Sequence, residues 1–117
     1  MKLNKILFLI ILSPLIFSSE RLISTSWCSD VGGDSQFRTK DGTYVDCLTD
    51  QFAIEVEFDY NWKESIGQAL HYAQSTNKKA GILLIKRSES TKDYHDQLMR
   101  VIRKYDLPIK VFEIEDN

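Results

Sequence analysis

This chain of 117 residues is poor in the residues from which many enzymes build a site. It has two cysteines and two histidines, and His71 and His95 stand isolated, so the ligand spacing of a zinc site is missing. There is no glycine-rich phosphate loop and no serine–histidine–aspartate pattern, which removes two common catalytic signatures. The formal net charge is −2, without the basic surplus of many nucleic-acid-binding proteins. The apolar run from Ile6 to Phe17 contains Pro14 and is too short for comfort in a bilayer, where a spanning helix takes about 20 residues. No internal repeat or low-complexity segment is present.

What is there begins with an address. Lys2 and Lys5 flank the start of the apolar run, and the small pair Ser18-Ser19 follows it. Basic, apolar, small is the order of a secretory signal peptide, so residues 1–19 are expected to direct export to the periplasm or beyond. Residues 20–117 then form one domain. An exported chain with an even, small cysteine count is expected to join Cys28 to Cys47, with a shared metal as the alternative. Such a link stabilises by roughly 3 kcal/mol in the chain-entropy account. Charge is uneven along this part. Glu20 to Asn77 carries 4 basic and 10 acidic residues, and Lys78 to Lys110 carries 9 basic and 4 acidic. That split suits a metal site beside a phosphate-contacting surface, or simply two solvated faces.

Periodicity gives the elements. Glu20 to Trp27 is ambiguous, with Leu22, Ile23 and Trp27 able to line one side of a short helix. Gly32-Gly33 marks a loop. Gln36 to Thr39 and Thr43 to Leu48 read as strands around the Asp41-Gly42 turn, where glycine supplies the positive φ of a tight hairpin. Gln51 to Phe58 is a third strand. Asp59 or Asn61 caps a helix running to about Thr76, with Trp62, Ile66, Ala69, Leu70 and Ala73 as its apolar stripe. Ala80 to Ile85 is a continuous apolar run, expected as a central strand buried on both faces. A helix from Ser90 to Tyr105, capped by Ser90 or Thr91, and a strand from Ile109 to Ile114 complete the order. Short turns make the first three strands antiparallel, and helical crossovers follow, so the fold class is α/β: a mixed sheet with flanking helices.

The chemistry concentrates between Tyr44 and Tyr72. Side chains alternate across a strand, so Glu55 and Glu57 share a face, and hairpin pairing brings Asp46 to it. At about 5 Å and an effective dielectric of about 20, each pair of these charges costs roughly 3 kcal/mol. A cluster of this kind survives through a metal, a bound proton or exposure to water. Gln68 and Tyr72, four apart, share an edge of the following helix.

With those residues in view, the chain resembles the PD-(D/E)XK superfamily of nucleases, the restriction-endonuclease-like fold. Its core runs helix, three strands, helix, strand. Its motif is an acid in the second strand, then acid-x-lysine in the third; Asp46 matches the first acid and Glu55 the second. Gln68 to Tyr72 resembles the Q-x-x-x-Y motif of RecB-like members. The match covers roughly Gln36 to Ile85. The Trp27-Cys28, Gly32-Gly33, Asp41-Gly42, Val45 to Leu48 and Ile66 to Gln68 clusters are similar to those of a compact exported subgroup. Two positions depart from the pattern. Glu57 replaces the lysine, and Lys63 is the nearest candidate to supply that charge. The early glutamate that often adds a metal ligand has only the neutral Gln36 as a counterpart.

The resemblance implies metal-dependent hydrolysis of nucleic-acid phosphodiesters. Asp46 and Glu55 would hold Mg²⁺ or Mn²⁺, and Glu57 would be a further ligand or the general base. Gln68, Tyr72 and Lys63 would complete the catalytic set. Lys78, Lys79, Lys86 and Arg87 would meet the phosphate backbone. The missing lysine and the acidic balance favour an alternative, an exported binding protein that keeps the nuclease fold and takes a protein partner. The plain readings are a turn-shaping Asp46, a solvated face for Glu55 and Glu57, and a core border for Gln68 and Tyr72.

Overall fold

The computed structural model describes residues 19–87 and 91–116. The expected signal segment lies, apart from Ser19, outside the described residues, as does Ser90. A helix over residues 19–30 (α1) opens the described chain, longer than the ambiguous segment of the sequence. Strands β1 (Asp34–Arg38), β2 (Tyr44–Leu48) and β3 (Phe52–Phe58) follow. A single 3₁₀ turn (Asp59–Asn61) leads into α2 (Trp62–Thr76), then β4 (Lys79–Arg87), α3 (Tyr94–Lys104) and β5 (Ile109–Asp116).

The five strands form one sheet in chain order, β1-β2-β3-β4-β5. The first three are antiparallel, because short turns join them; β3, β4 and β5 are parallel, because α2 and α3 cross over between them. This is the mixed sheet with flanking helices that the periodicity implies. Trp62 and Ala69 of α2 pack with Leu98 and Ile102 of α3 against Ile82 and Leu84. On the opposite face Ile23 and Trp27 of α1 pack with Ile54, Val56, Phe58, Leu83 and Ile85. β4 therefore buries both of its faces, as its unbroken apolar run requires.

A disulfide joins Cys28 to Cys47 and staples α1 to β2, with the Cα atoms 5.6 Å apart. Gly33 packs directly against it. A Cβ there would lie 2.6 Å from the Cys47 sulfur and 2.8 Å from that of Cys28. Gly42 holds φ +87° in the β1–β2 turn, the conformation that the Asp-Gly pair foretells.

Local details differ from the sequence reading. Neither Asp59 nor Asn61 caps α2 through its side chain; the Asn61 amide instead donates to Glu57 Oε1 at 3.4 Å. Asp93, not Thr91, caps α3 by accepting from the Asp96 N–H at 2.9 Å. β1 begins two residues early, at Asp34, and contains a left-handed residue, Gln36 at φ +56°.

Candidate functional site

The site forms where β2 and β3 part. Their ladder holds the pairs Cys47–Ile54 and Leu48–Ala53. One step further the same register would set Asp46 opposite Glu55. There β3 stays with β4, to which it pairs along all seven residues, and the gap to β2 is bridged by a side chain. Asp46 Oδ2 accepts the Val56 N–H at 2.8 Å, taking the place of a backbone carbonyl. Its other oxygen accepts from Gln36 Nε2 at 3.3 Å. Gln36 stands directly across from Asp46, between the pairs Ser35–Cys47 and Phe37–Val45. Asp46 is thus a structural joint and not merely a turn residue.

Glu55 and Glu57 lie on the face of β3 that carries Ala53, toward Tyr72 of α2. They are not solvated: Glu55 is 3% exposed and Glu57 8%. Burial raises the Glu55 carboxyl to about 10, and the neighbouring Asp46 charge, a hydrogen bond with Asp46 and the Glu57 charge add to the rise. Glu55 is therefore protonated at neutral pH as it stands. Its Oε2 is buried with no hydrogen-bond partner. Burial raises Glu57 to about 7, helped by the charges of Glu20, Glu64 and Asp46 and opposed by the Asn61 hydrogen bond. Tyr72 donates its hydroxyl to Gln68 Oε1 at 3.1 Å and lies within hydrogen-bonding reach of Glu55. Burial holds its hydroxyl well above the usual tyrosine range, helped by Glu55, which is itself ionised by the pH at which a tyrosine would lose its proton, and by the Asp46 charge.

A fourth carboxylate joins from α1. Glu20, half-buried, is pushed up by burial and then by the Asp46 charge, and its own charge acts on Glu57. Sequence reasoning passed over Glu20, because it abuts the expected signal cut and the helix around it has a weak apolar stripe. The recoverable signal was the early glutamate that the resemblance implies near the start of the core, for which the sequence offered only Gln36; Glu20 is the second residue of α1.

The structure gathers Asp46, Glu55, Glu57, Gln68 and Tyr72, and leaves the expected cations outside. Lys63 Nζ sits 5.8 Å from the ring centroid of Trp62, whose indole N–H donates to Gln97 on α3. Lys78 donates to the Asp50 carbonyl at 2.8 Å, and Lys79 starts β4. Lys86 and Arg87 close the other end of that nine-residue strand, and Arg87 pairs with Asp116 at 3.5 Å. The four basic residues make two separate groups. His71 pairs with Asp41 at 2.9 Å and His95 faces Glu113 at 3.9 Å, both at the surface.

The donors present are carboxylate oxygens, the chemistry that Mg²⁺ and Mn²⁺ prefer. As placed, no group of three or more histidine, cysteine, aspartate or glutamate side chains could hold a metal ion among the described residues. Mg²⁺ commonly takes only one or two carboxylates and fills its shell with water and phosphate. Asp46 and Glu55 are the pair that could serve such an ion; both Asp46 oxygens already accept protein hydrogen bonds, whereas Glu55 Oε2 is buried with no hydrogen-bond partner.

No family model and no solved structure matches the chain. Two proteins of Acanthamoeba polyphaga mimivirus, each named "Putative KilA-N domain-containing protein", are similar to it. R878 is 29% identical over 96 residues, 82% of this chain, and L33 is 30% identical over 95 residues, 80% of it. The chain spans 26% of the length of the first and 37% of the second. The similarity is thus to a segment of larger viral proteins.

Proposed function

We propose that this domain is a divalent-cation-dependent nuclease of the PD-(D/E)XK type, acting on nucleic-acid phosphodiesters. The observation that carries the reading is the buried, unpartnered Glu55 oxygen beside Asp46, with Glu57 and Glu20 adding negative charge. Folding such a cluster fully ionised is costly; a proton on Glu55 relieves it in the absence of metal, and a bound cation would take that proton's place. Asp46 and Glu55 would hold Mg²⁺ or Mn²⁺, which supplies charge neutralisation at a phosphate and activation of water. Glu57, with a pKa of about 7, is poised to take a proton from the attacking water. Asn61 orients Glu57, and the Gln68–Tyr72 pair fixes the helix edge against Glu55. Similarity to one segment of larger viral proteins fits a module that works beside other domains. The disulfide fits the proposed export to the periplasm or outside the cell.

The second reading is a binding protein that keeps this fold without the chemistry. It is favoured by Glu57 at the lysine position and by the full use of both Asp46 oxygens. Thermal unfolding of the oxidised full chain with and without Mg²⁺ or Mn²⁺ separates the two. The nuclease reading expects stabilisation that vanishes in Asp46→Ala, and Mg²⁺-dependent cleavage of single-stranded, duplex or branched substrates that vanishes in Glu55→Gln. A melting temperature indifferent to both cations would leave the binding protein standing.

A further inference from the structure

Glu57 deprives the carboxylate site of the cation that would hold a phosphate, and Lys63 does not restore it, because it lies over Trp62. One cation stands at the edge of the site, one residue removed from Asp46 through Gln36. Arg21 follows Glu20 on α1 and is exposed. Its Nη2 stands 3.5 Å from Gln36 Oε1, and Gln36 Nε2 donates to Asp46 at 3.3 Å. Gln36 faces Asp46 across the β1–β2 ladder in a left-handed conformation, within an otherwise regular strand whose register is the same on both sides of it. Arg21 has no carboxylate partner among the described residues, so most of its five N–H donors are uncommitted. An arginine with free donors, tied by one long contact to the residue that orients a cluster of carboxylates, is poised to take an anion beside them. Its planar fork matches a phosphate in shape.

We propose that Arg21, with Gln36 as its positioning residue, forms the phosphate-binding position of this site and takes a phosphodiester of a single nucleic-acid strand beside Asp46. The proposal rests on the nuclease reading and names the residue that stands in for the motif's lysine.

The test measures binding and not turnover. Anisotropy of a fluorescein-labelled single-stranded oligonucleotide is titrated with the oxidised full chain in Ca²⁺, with a gel to confirm that the strand stays intact. Arg21→Ala should weaken binding about tenfold, the worth of a charge-assisted hydrogen bond. Arg21→Lys should recover part of the loss. Arg103→Ala, which removes an equal exposed charge from α3, an element that supplies none of the site residues, should change affinity by less than about twofold, since salt screens exposed charges. The rise in melting temperature caused by Ca²⁺ should persist in Arg21→Ala and vanish in Asp46→Ala. Equal losses in Arg21→Ala and Arg103→Ala, or none in Arg21→Ala, would overturn the phosphate position while the Asp46-dependent shift still upheld the nuclease reading. If Ca²⁺ stabilises neither the wild type nor any variant, the reading falls and the Arg21 position falls with it.

Discussion

The two faces of β3 are buried almost equally and made of opposite chemistry. Ile54, Val56 and Phe58 are at most 2% exposed and meet α1 across the sheet, beside the disulfide. Ala53, Glu55 and Glu57 are at most 8% exposed and look toward α2. Alternation along a strand usually separates core from solvent. Here it separates an apolar core from a carboxylate-lined interior. Burial alone therefore does not stabilise both faces: one gains from leaving water, and the other loses unless protons or cations accompany it.

The largest test of that contrast sets neighbouring residues against each other. Ile54→Ala should cost about 2–5 kcal/mol in urea unfolding, through lost transfer energy and a cavity. Glu55→Gln, one residue on, should leave stability at pH 7 unchanged or higher. Glu55 is protonated when folded and ionised when unfolded, whereas glutamine carries no such penalty. Comparable losses at both positions would erase the distinction between the faces.

A second test uses pH. Glu57 rises from 4.5 to about 7 on folding, so the native state holds its proton more tightly. Its contribution is complete below pH 4.5 and is lost as pH climbs through 7, a change of at most about 3 kcal/mol. The melting temperature should fall between pH 5 and pH 8, and Glu57→Gln should flatten the curve. In wild type the decline should continue toward pH 10 as Glu55 ionises. Added Mg²⁺ should reverse the sign, because a cation favours ionised carboxylates. At a hundred times its dissociation constant it should stabilise by about 2.7 kcal/mol. Apolar-face variants that keep the fold should retain this response, and Asp46→Ala should not.

The smallest effect concerns how Asp46 is held. Gln36→Ala loses a hydrogen bond worth about 1 kcal/mol and keeps a left-handed backbone that costs a non-glycine residue about 1–2 kcal/mol. Gln36→Gly loses the same bond but relieves the backbone, so it should unfold at the higher denaturant concentration of the two.

Much of this was legible in the sequence, because periodicity reports neighbours that are close along the chain. The Asp41-Gly42 turn, the alternation of β3, the unbroken apolar run of β4 and the helical stripe of α2 each follow from local rules. So did the shared face of Glu55 and Glu57. What escaped depends on which of several available partners a side chain takes, near or far. Asn61 looked like a helix cap, yet Glu57 claims its amide. Lys63 stood near the motif in sequence, yet it lies beside Trp62 instead. The parting of β2 from β3 has no signature of its own, since it arises when the Asp46 carboxylate replaces a backbone partner. The same holds for Gln36, whose positive φ follows no turn-forming glycine or asparagine.

That left-handed residue has an effect away from the site. β1 is an outer strand of the sheet, with one side of its backbone unpaired by any neighbour in the sheet. Flat outer strands are templates on which another chain can continue a sheet, the first step of many aggregates. Gln36 puts a left-handed residue in the middle of a strand only five residues long, so the edge it offers is short and irregular. The other outer strand, β5, presents exposed Lys110, Glu113 and Glu115 along its length. A backbone irregularity that aims an amide inward at Asp46 thereby also guards the margin of the sheet against unwanted extension.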